Sequence, residues 1–198
     1  MTETRERFIQ AATTVFAERG FYGASIAAVA EDLPFTKQAL LHHFGSKEKL
    51  YGEVLKRISD RLTAELDVIG KRHTEPRARF EETFIEFYRS SLANPRETAL
   101  LMRELLDNKR RAETSKSWYL KPLLNTLADL AASIPSARLA RGGAALAFVY
   151  QLLGAISYFV VSEPTLSTMY GDQDFEALQA GFEKQLRILI TSRLDAGF

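Results

Sequence analysis

Residues 36–50, TKQALLHHFGSKEKL, constrain the fold most, because they encode two helices separated only by a glycine turn. The first helix has about two turns, and so short a helix is marginal in water unless tertiary packing holds it. Its faces follow from a rotation of about 100° per residue. One face, which we expect to pack, carries Thr36, Leu40, His43 and Phe44. The other, which we expect to be presented to a partner, carries Lys37, Gln38, Leu41 and His42.

Polar residues at the two helix starts suggest the partner. The hydroxyls of Thr36 and Ser46 can each accept a hydrogen bond from a first-turn backbone N–H. Lys47 and Lys49 lie in the first turn of the second helix, where the helix dipole disfavours cations by a few tenths of a kcal/mol. Because helix N-termini bind phosphate, we attribute these lysines to a nucleic-acid backbone rather than to folding. The alternative is that they are solvated and partly balanced by Glu48.

The charge of the chain is informative only locally. A net charge of +1 counts mildly against nucleic-acid binding. Residues 36–49, however, hold three lysines and two histidines against one glutamate, and phosphate affinity depends on such a local surface. The N-terminus is polar and charged, unlike a signal peptide, so we expect a cytoplasmic protein.

The amino-acid composition limits the kinds of functional site that this chain can contain. The chain has 198 residues, of which 46% are hydrophobic, enough for a substantial core. It has no cysteine, which excludes disulfides and thiolate sites and favours a reducing compartment. The three histidines lack metal-ligand spacing, and neither a phosphate-binding glycine loop nor a nucleophile elbow is present. We therefore expect no catalytic residue, no metal, no cofactor and no enzymatic activity.

Two further helices are predicted before the opening stretch. Residues 3–19 carry one apolar stripe, and Gly20 ends that helix as a left-handed cap. Residues 24–32 form a second helix, whose Ser25 can cap it or hold a phosphate. Pro34 then breaks the chain before the short helix. Two short helices across a tight turn, supported by a first helix, make a helix-turn-helix.

The remaining sequence is also predicted to be helical, giving about nine helices in an all-α protein. A charged connector over residues 108–116 is expected to be solvated rather than bound to DNA. Residues 142–161 are uncharged at all 20 positions, so they could span a membrane. We favour a helix buried between other helices and a second subunit. The predicted helices cover residues 47–69, 76–92, 95–107, 117–132, 142–161 and, after a loop from 163 to 171, a last helix capped by Asp172.

Residues 7–50 resemble the DNA-binding domain of TetR-family transcriptional regulators. The stretches AATTVFAERGFYGASIAAVAEDL and TKQALLHHFGSKEKL carry this resemblance through an A..lF...G segment, an IA.. helix and an hF.sKe.L motif. It implies a helix-turn-helix DNA-binding domain over residues 1–47 and an effector-binding and dimerisation domain over residues 48–198. The implied DNA contacts, to phosphates or bases, are Ser25, Thr36, Lys37, Gln38, Ala39, Leu41, His42 and Lys47.

Two departures from the family pattern concern the DNA-binding face. Leu41 stands where the family usually has a tyrosine that reaches a phosphate, so this residue either meets a thymine methyl or is simply exposed. Pro34 and Phe35 replace the usual Gly-Val in the turn. We expect the protein to dock on DNA in the same general way as the family, with individual contacts that differ.

A single helix-turn-helix reads few bases, so we expect a homodimer that reads a palindromic operator in double-stranded DNA, without a membrane. The resemblance further implies a repressor that a small-molecule effector releases. The competing interpretation is an all-helical adaptor or membrane-tethered protein that does not bind DNA. Candidate effector-pocket residues are Phe84, Tyr88, Met102, Trp118, Phe148 and Gln151, the last as a buried amide that needs a partner. Candidate dimer-interface residues are Phe148, Leu152, Ile156, Phe175, Leu178, Phe182, Leu186 and Leu189.

Overall fold

A computed structural model describes residues 3–31, 33–107, 119–139 and 142–196. These residues form ten α-helices and one short 3-10 helix, Pro135–Ala137, and no strand is found among them. The all-helical fold class is therefore confirmed. The helices are α1 (Glu3–Gly23), α2 (Ile26–Ala30), α3 (Lys37–Phe44), α4 (Lys47–Arg72), α5 (Pro76–Ala93), α6 (Pro95–Asp107), α7 (Lys121–Ala132), α8 (Gly143–Val161), α9 (Glu163–Tyr170) and α10 (Asp172–Ala196).

The chain divides into two compact units. The first comprises Met1–Arg61 and Arg96–Tyr119, and the second comprises Leu62–Pro95 and Leu120–Phe198. The division differs from the one expected after residue 47, because the first unit also takes in α6 and the start of α4. Helix α4 is continuous and contributes to both units.

Gly20 and Ser25 act where the sequence placed them, although α1 runs on to Gly23 and α2 covers only Ile26–Ala30 of the predicted residues 24–32. Gly20 interrupts α1 with φ 66° and ψ 175°, a conformation that side chains with a Cβ avoid. The hydroxyl of Ser25 caps α2 by accepting a hydrogen bond from the Ala28 N–H at 3.0 Å. Such caps matter for a five-residue helix, because so short a segment satisfies few of its own N–H groups.

Aromatic rings build the core of the first unit. Phe8 is fully buried, with its ring centroid 5.3 Å from that of Phe35 and 6.3 Å from that of Phe44. Phe16 is fully buried too, and meets Tyr51 edge-on at 4.8 Å. Tilted and edge-on aromatic pairs add about 0.5–1.5 kcal/mol beyond their burial of area. The unusual phenylalanine in the turn before α3 thus serves as a core residue.

The second unit packs α5, α7, α8 and α10 around an apolar core. Ion pairs also hold α10 to α5. Arg187 donates hydrogen bonds to Glu82 at 2.8 Å and to Glu81 at 3.2 Å. Arg89 donates to Glu183 at 2.7 Å. The fully buried side chains of this core include Phe80, Phe84, Ile85, Val149, Leu152, Ile156, Ile190 and Leu194.

Three predicted boundaries need correction. The expected loop from 163 to 171 is the helix α9, since proline is tolerated in a first helical turn and Pro164 starts a helix there instead of ending one. This helix accounts for the count of ten. Helix α4 continues to Arg72, and α7 begins only at Lys121, with Pro122 in its first turn. The charged connector over residues 108–116 lies outside the described residues.

Among the described residues, α8 is the one helix long and apolar enough to cross a membrane by length and composition, with a mean hydropathy of 1.9. Only 39% of its apolar window is buried inside the protein. Leu152 and Ile156 are fully buried, whereas Tyr150 and Tyr158 are 49% and 70% exposed. The expected burial of this helix therefore holds for one of its faces, and the other face is uncovered in the single chain.

Candidate functional site

Helix α3 packs through one face and exposes the other. Leu40 is fully buried and Phe44 is 6% exposed, so these two residues anchor the helix on the core. Lys37, Gln38 and His42 are exposed as predicted, and Leu41, the fourth residue of the predicted presented face, is half-buried. Thr36 and His43 are exposed as well, so their predicted burial is wrong. The His43 ring nevertheless lies against that of Phe8, at 5.8 Å between centroids.

Both ends of α3 are fixed by local hydrogen bonds. The Thr36 hydroxyl accepts from the Ala39 N–H at 3.1 Å. At the other end, Gly45 adopts a φ of 78° and its N–H donates to the Leu41 carbonyl at 2.7 Å. Ser46 caps α4 by accepting from the N–H of Lys49 at 3.2 Å. The predicted caps at both helices are confirmed, and they hold a two-turn helix in a defined position.

Lys47 has a role in folding that the sequence did not reveal. Its Nζ donates to the carbonyl oxygens of Phe21 at 2.9 Å and Ala24 at 3.1 Å. The same ammonium lies 4.4 Å from the centroid of the Phe21 ring, within the range of a cation–π interaction. The expectation that folding offers no reason for this lysine is therefore wrong. Two of its three donors bind carbonyls at the end of α1 and just after it, and the third makes no hydrogen bond with the residues that the structure describes.

The other predicted contact residues lie around this surface. Ala39 and Leu41 are half-buried on α3, and Ser25 is exposed at the start of α2. Because the Ser25 oxygen accepts the capping hydrogen bond, its O–H is left as a donor suited to a phosphate oxygen. An open groove of about 670 Å³ lies beside the C-terminal end of α3. Its wall includes His42, His43 and Lys49.

A separate cavity of about 30 Å³ lies in the second unit. Its walls come from α4, α5, α7 and α8 and are mostly apolar. One member of the predicted effector-pocket set, Phe84, lines it. No group of three or more His, Asp or Glu side chains within the described ranges is placed to hold a metal ion. The residues around the cavity are Leu62, Glu65, Leu66, Ile69, Thr83, Phe84, Glu86, Phe87, Leu123, Leu127 and Leu153.

The other predicted effector residues are not brought together. Tyr88 is 2% exposed and donates to the Gln179 carbonyl at 3.1 Å, and burial raises the pKa of this phenol to about 12. Phe148 is 5% exposed in the core, and Met102 belongs to the first unit. Gln151 is exposed, so it is not the buried amide that was expected, while Trp118 lies outside the described residues.

The predicted dimer-interface residues divide between core and surface. Five of them are at most 6% exposed and form the core of the single chain: Phe148, Leu152, Ile156, Phe175 and Leu186. Phe182 is half-buried. Leu178 and Leu189 are 44% and 50% exposed. Because α8 is apolar on all sides, its pattern did not show which face points outward. On α8 and α10, the exposed large apolar residues that were not predicted are Leu146, Tyr150, Tyr158 and Ile188.

Comparison with known proteins identifies the helix-turn-helix. Residues 8–54 match the model of the family described as bacterial regulatory proteins, tetR family. The chain is 33% identical over 88 residues to the HTH-type transcriptional activator FasR of Mycolicibacterium smegmatis, covering 43% of this chain and 40% of FasR. It is also 33% identical over 72 residues to the HTH-type transcriptional repressor KstR2 of that organism, covering 36% and 35%. The chain thus spans two fifths or less of the length of these curated relatives.

The fold likeness extends over nearly the whole chain. The crystal structure of the transcriptional regulator FadR from Bacillus subtilis, in complex with stearoyl-CoA, superposes with a TM-score of 0.73. The match covers 95% of this chain and 98% of that one at 15% identity, and it shows the fold alone. The matched segment, residues 8–54, is therefore similar to the DNA-binding domain of the tetR family of bacterial regulatory proteins, and the described helices share the fold of this solved regulator.

Proposed function

We propose that this protein is a homodimeric repressor that binds a palindromic operator in double-stranded DNA and is released by a small-molecule effector. The observation that carries the DNA-binding part is the exposed face of α3. Lys37, Gln38 and His42 project from a helix that is capped at both ends and buried on its opposite side. Such a rigid, polar and partly cationic helix suits the major groove.

The contact residues divide by chemistry. Lys37 and the free donor of Lys47 supply positive charge to phosphates, which sets affinity without reading sequence. Gln38 is the candidate for base readout, because its amide can pair with both adenine groups in the major groove. Ser25 and Thr36 can donate to phosphates through their hydroxyls. Leu41, Ala39 and His42 complete the proposed contact surface, with Leu41 opposite a thymine methyl.

An uncovered apolar surface supports dimerisation. Tyr150 and Tyr158 of α8 and Leu178, Ile188 and Leu189 of α10 are each at least 44% exposed. A second copy of the chain would remove this surface from water at about 25 cal/mol for each square ångström buried. Two helices from each protomer would then form an intersubunit four-helix bundle. A twofold axis through it places two recognition helices on the half-sites of a palindrome.

The cavity in the second unit supports an effector site. Its walls include residues from the C-terminal part of α4, and α4 begins directly after the recognition helix. An effector that favours another tilt of α4 by about 1–3 kcal/mol would change operator occupancy severalfold or more. FadR in complex with stearoyl-CoA is a similar fold that holds a ligand. Among the relatives, KstR2 is a repressor and FasR is an activator. We propose that this protein represses transcription, which a reporter gene under its operator would test.

The membrane-tethered alternative has one observation in its favour, the apolar length of α8. Five residues distributed along α8 are at most 5% exposed in the protein core: Ala145, Phe148, Val149, Leu152 and Ile156. A lipid-embedded helix would have to give up those contacts. We therefore propose a cytoplasmic protein. Partition of the purified chain into detergent, in place of a dimer in plain buffer, would favour the alternative.

Selection of bound genomic fragments tests the proposal most directly. The purified chain is mixed with sheared DNA of its source, and bound fragments are sequenced. We expect an enriched palindrome whose half-sites are about one helical turn, or a multiple of it, apart. The test variant is Lys37→Ala, which should weaken recovery of bound fragments. Its matched control is Lys56→Ala, which removes an exposed lysine of α4 paired with Asp60 and should leave recovery unchanged. Recovery without any enriched sequence would contradict an operator-binding function.

A further inference from the structure

Thr83 of α5 carries an unusual buried hydroxyl. The residue is 3% exposed and lines the cavity of the second unit. Its Oγ1 has no hydrogen-bond partner within the described part of the chain. Other helical threonines return the hydroxyl to the carbonyl four residues earlier, as Thr13 does to Ile9 at 2.8 Å. A buried hydroxyl without a partner is destabilising, so a group that fills the cavity and accepts its hydrogen bond would be favoured.

Arg79 precedes Thr83 by one turn on the same face of α5. Its Nε is buried without a hydrogen-bond partner, and its guanidinium forms no ion pair among the described residues. Neighbouring arginines behave differently: Arg77 pairs with Asp195 at 2.6 Å and Arg89 pairs with Glu183 at 2.7 Å. Arginine is the side chain best suited to bind a carboxylate through two parallel hydrogen bonds.

Gly70 of α4 leaves the room that this guanidinium occupies. A Cβ at Gly70 would lie 2.8 Å from both Cζ and Nη2 of Arg79, closer than such contacts allow. Glycine inside a helix is less favourable than alanine. The next residue toward the helix start, Ile69, is a wall of the cavity. The guanidinium therefore lies against α4 at Gly70, the residue after Ile69, and does not itself line the cavity.

The charges around the cavity are arranged along α5. Glu86 follows Arg79 by seven residues, about 10 Å along the helix. Glu65, which accepts a hydrogen bond from Ser90 at 3.1 Å, lies at that far end too. An anionic group would be repelled by the two glutamates and attracted by the arginine. The apolar walls between these ends exclude a second charge.

We propose that the effector is a monocarboxylate with an apolar body, whose carboxylate binds Arg79 and accepts the hydrogen bond of Thr83. This inference rests on the proposed effector site. The apolar body lies among the leucine and phenylalanine side chains of α4, α5 and α7. Because a volume of about 30 Å³ holds only about two water molecules, binding must separate these walls. The ligand therefore acts on the second-unit part of α4, residues 62–69.

Octanoate serves as the probe, with methyl octanoate and 1-octanol as matched ligands that keep the chain and lose the charge. Binding to the full-length protein is measured by isothermal titration calorimetry and by thermal shift. A charge-assisted hydrogen bond contributes about 1.5–3 kcal/mol, so octanoate should bind the wild type about 10- to 100-fold more tightly than its ester.

Three variants assign this preference to the site. Arg79→Gln and Gly70→Ala should each reduce the octanoate-to-ester ratio to about one, the second because the new Cβ displaces the guanidinium while every polar group stays in the chain. Thr83→Val keeps the shape of the side chain and should lower octanoate affinity more than ester affinity. Arg77→Gln on the same helix is the control and should leave the ratio unchanged.

Several outcomes would overturn the inference. These are equal affinity for octanoate and its ester in the wild type, no octanoate binding up to its solubility limit, a preference that persists in Arg79→Gln, or one that Arg77→Gln also removes. Operator binding by the unliganded chain is recorded in parallel. If the chain binds DNA but shows no carboxylate preference, the proposed DNA-binding function stands and this inference fails. If it binds the carboxylate but not DNA, this inference stands and the DNA-binding function fails.

Discussion

The ammonium of Lys47 donates hydrogen bonds to the backbone carbonyls of Phe21 and Ala24, at 2.9 and 3.1 Å. Phe21 lies in the last turn of α1, Ala24 lies between α1 and α2, and Lys47 is the first residue of α4. The contact therefore fixes the start of α4 to the segment that leads into the helix-turn-helix. The residue that the family motif suggests for DNA contact is also part of the scaffold that positions α2.

Replacement of Lys47 by alanine should affect both stability and DNA binding. The variant leaves two carbonyls without their donor, so we expect a loss of about 1–3 kcal/mol in the free energy of unfolding, measured in urea. Affinity for specific and nonspecific DNA should fall about equally, with a shallower salt dependence. Lys49→Ala is the control, since that lysine is exposed and should leave stability unchanged. An unaltered unfolding midpoint in Lys47→Ala would contradict the structural role.

Replacement of Gln38 by alanine should change sequence preference more than overall affinity. Loss of a bidentate amide contact removes about 1–3 kcal/mol of discrimination at one base pair of each half-site. The measurement is the binding motif selected from random DNA by each variant. Lys37→Ala is the matched comparison, and should lower affinity for all sequences alike. The same motif from wild type and Gln38→Ala would show that this residue does not read a base.

A charge on the uncovered face of α8 or α10 should prevent dimerisation. Tyr150→Arg and Ile188→Arg each place a cation on an apolar surface that is about half exposed in the single chain. An unpaired charge buried in the dimer is strongly unfavourable, so we expect monomers at micromolar concentration in sedimentation equilibrium. Val68→Arg, at an exposed position of α4, is the control and should remain dimeric. If both arginine variants remain dimeric, the subunits must contact each other through another surface.

Acid should weaken the second unit through Glu183. The hydrogen bond from Arg89 is the main cause that holds the pKa of this carboxylate below its usual value of 4.5. Stability from this group is therefore complete above pH 4.5 and is lost as pH falls through the lower, folded-state pKa. Glu183→Gln should be less stable than wild type at pH 7, and the difference should shrink in urea unfolding at pH 3. Exposed Glu163 provides the control variant Glu163→Gln. A difference independent of pH would contradict this linkage.

The helix-turn-helix was predictable because its signals are local. Gly20, Gly45 and the capping hydroxyls of Ser25 and Thr36 act on backbone groups within a few residues, so their roles can be read from spacing. The anchoring of α3 by Leu40 and Phe44 likewise follows from helical periodicity. Pro164 shows the limit of such signals, since proline suits the first turn of a helix as well as the residues after one.

Contacts between side chains that are distant in sequence were not predictable. The contacts of Lys47 with residues 23 and 26 positions earlier, and the space that Gly70 leaves for Arg79, depend on how helices pack. Periodicity could not tell the outward face of α8 from the inward one, because nearly every position on it is apolar. Gln151 was consequently expected to be buried and is exposed.

The sequence by itself thus determined the helical class, nine of the ten described helices in their order, the caps around α3 and the exposure of Lys37, Gln38 and His42, since each depends on interactions within a few turns. Only the tertiary structure decided which cations serve folding, which face of α8 remains uncovered and which buried groups lack partners. Those properties depend on which side chains from different helices meet, and local spacing does not encode that.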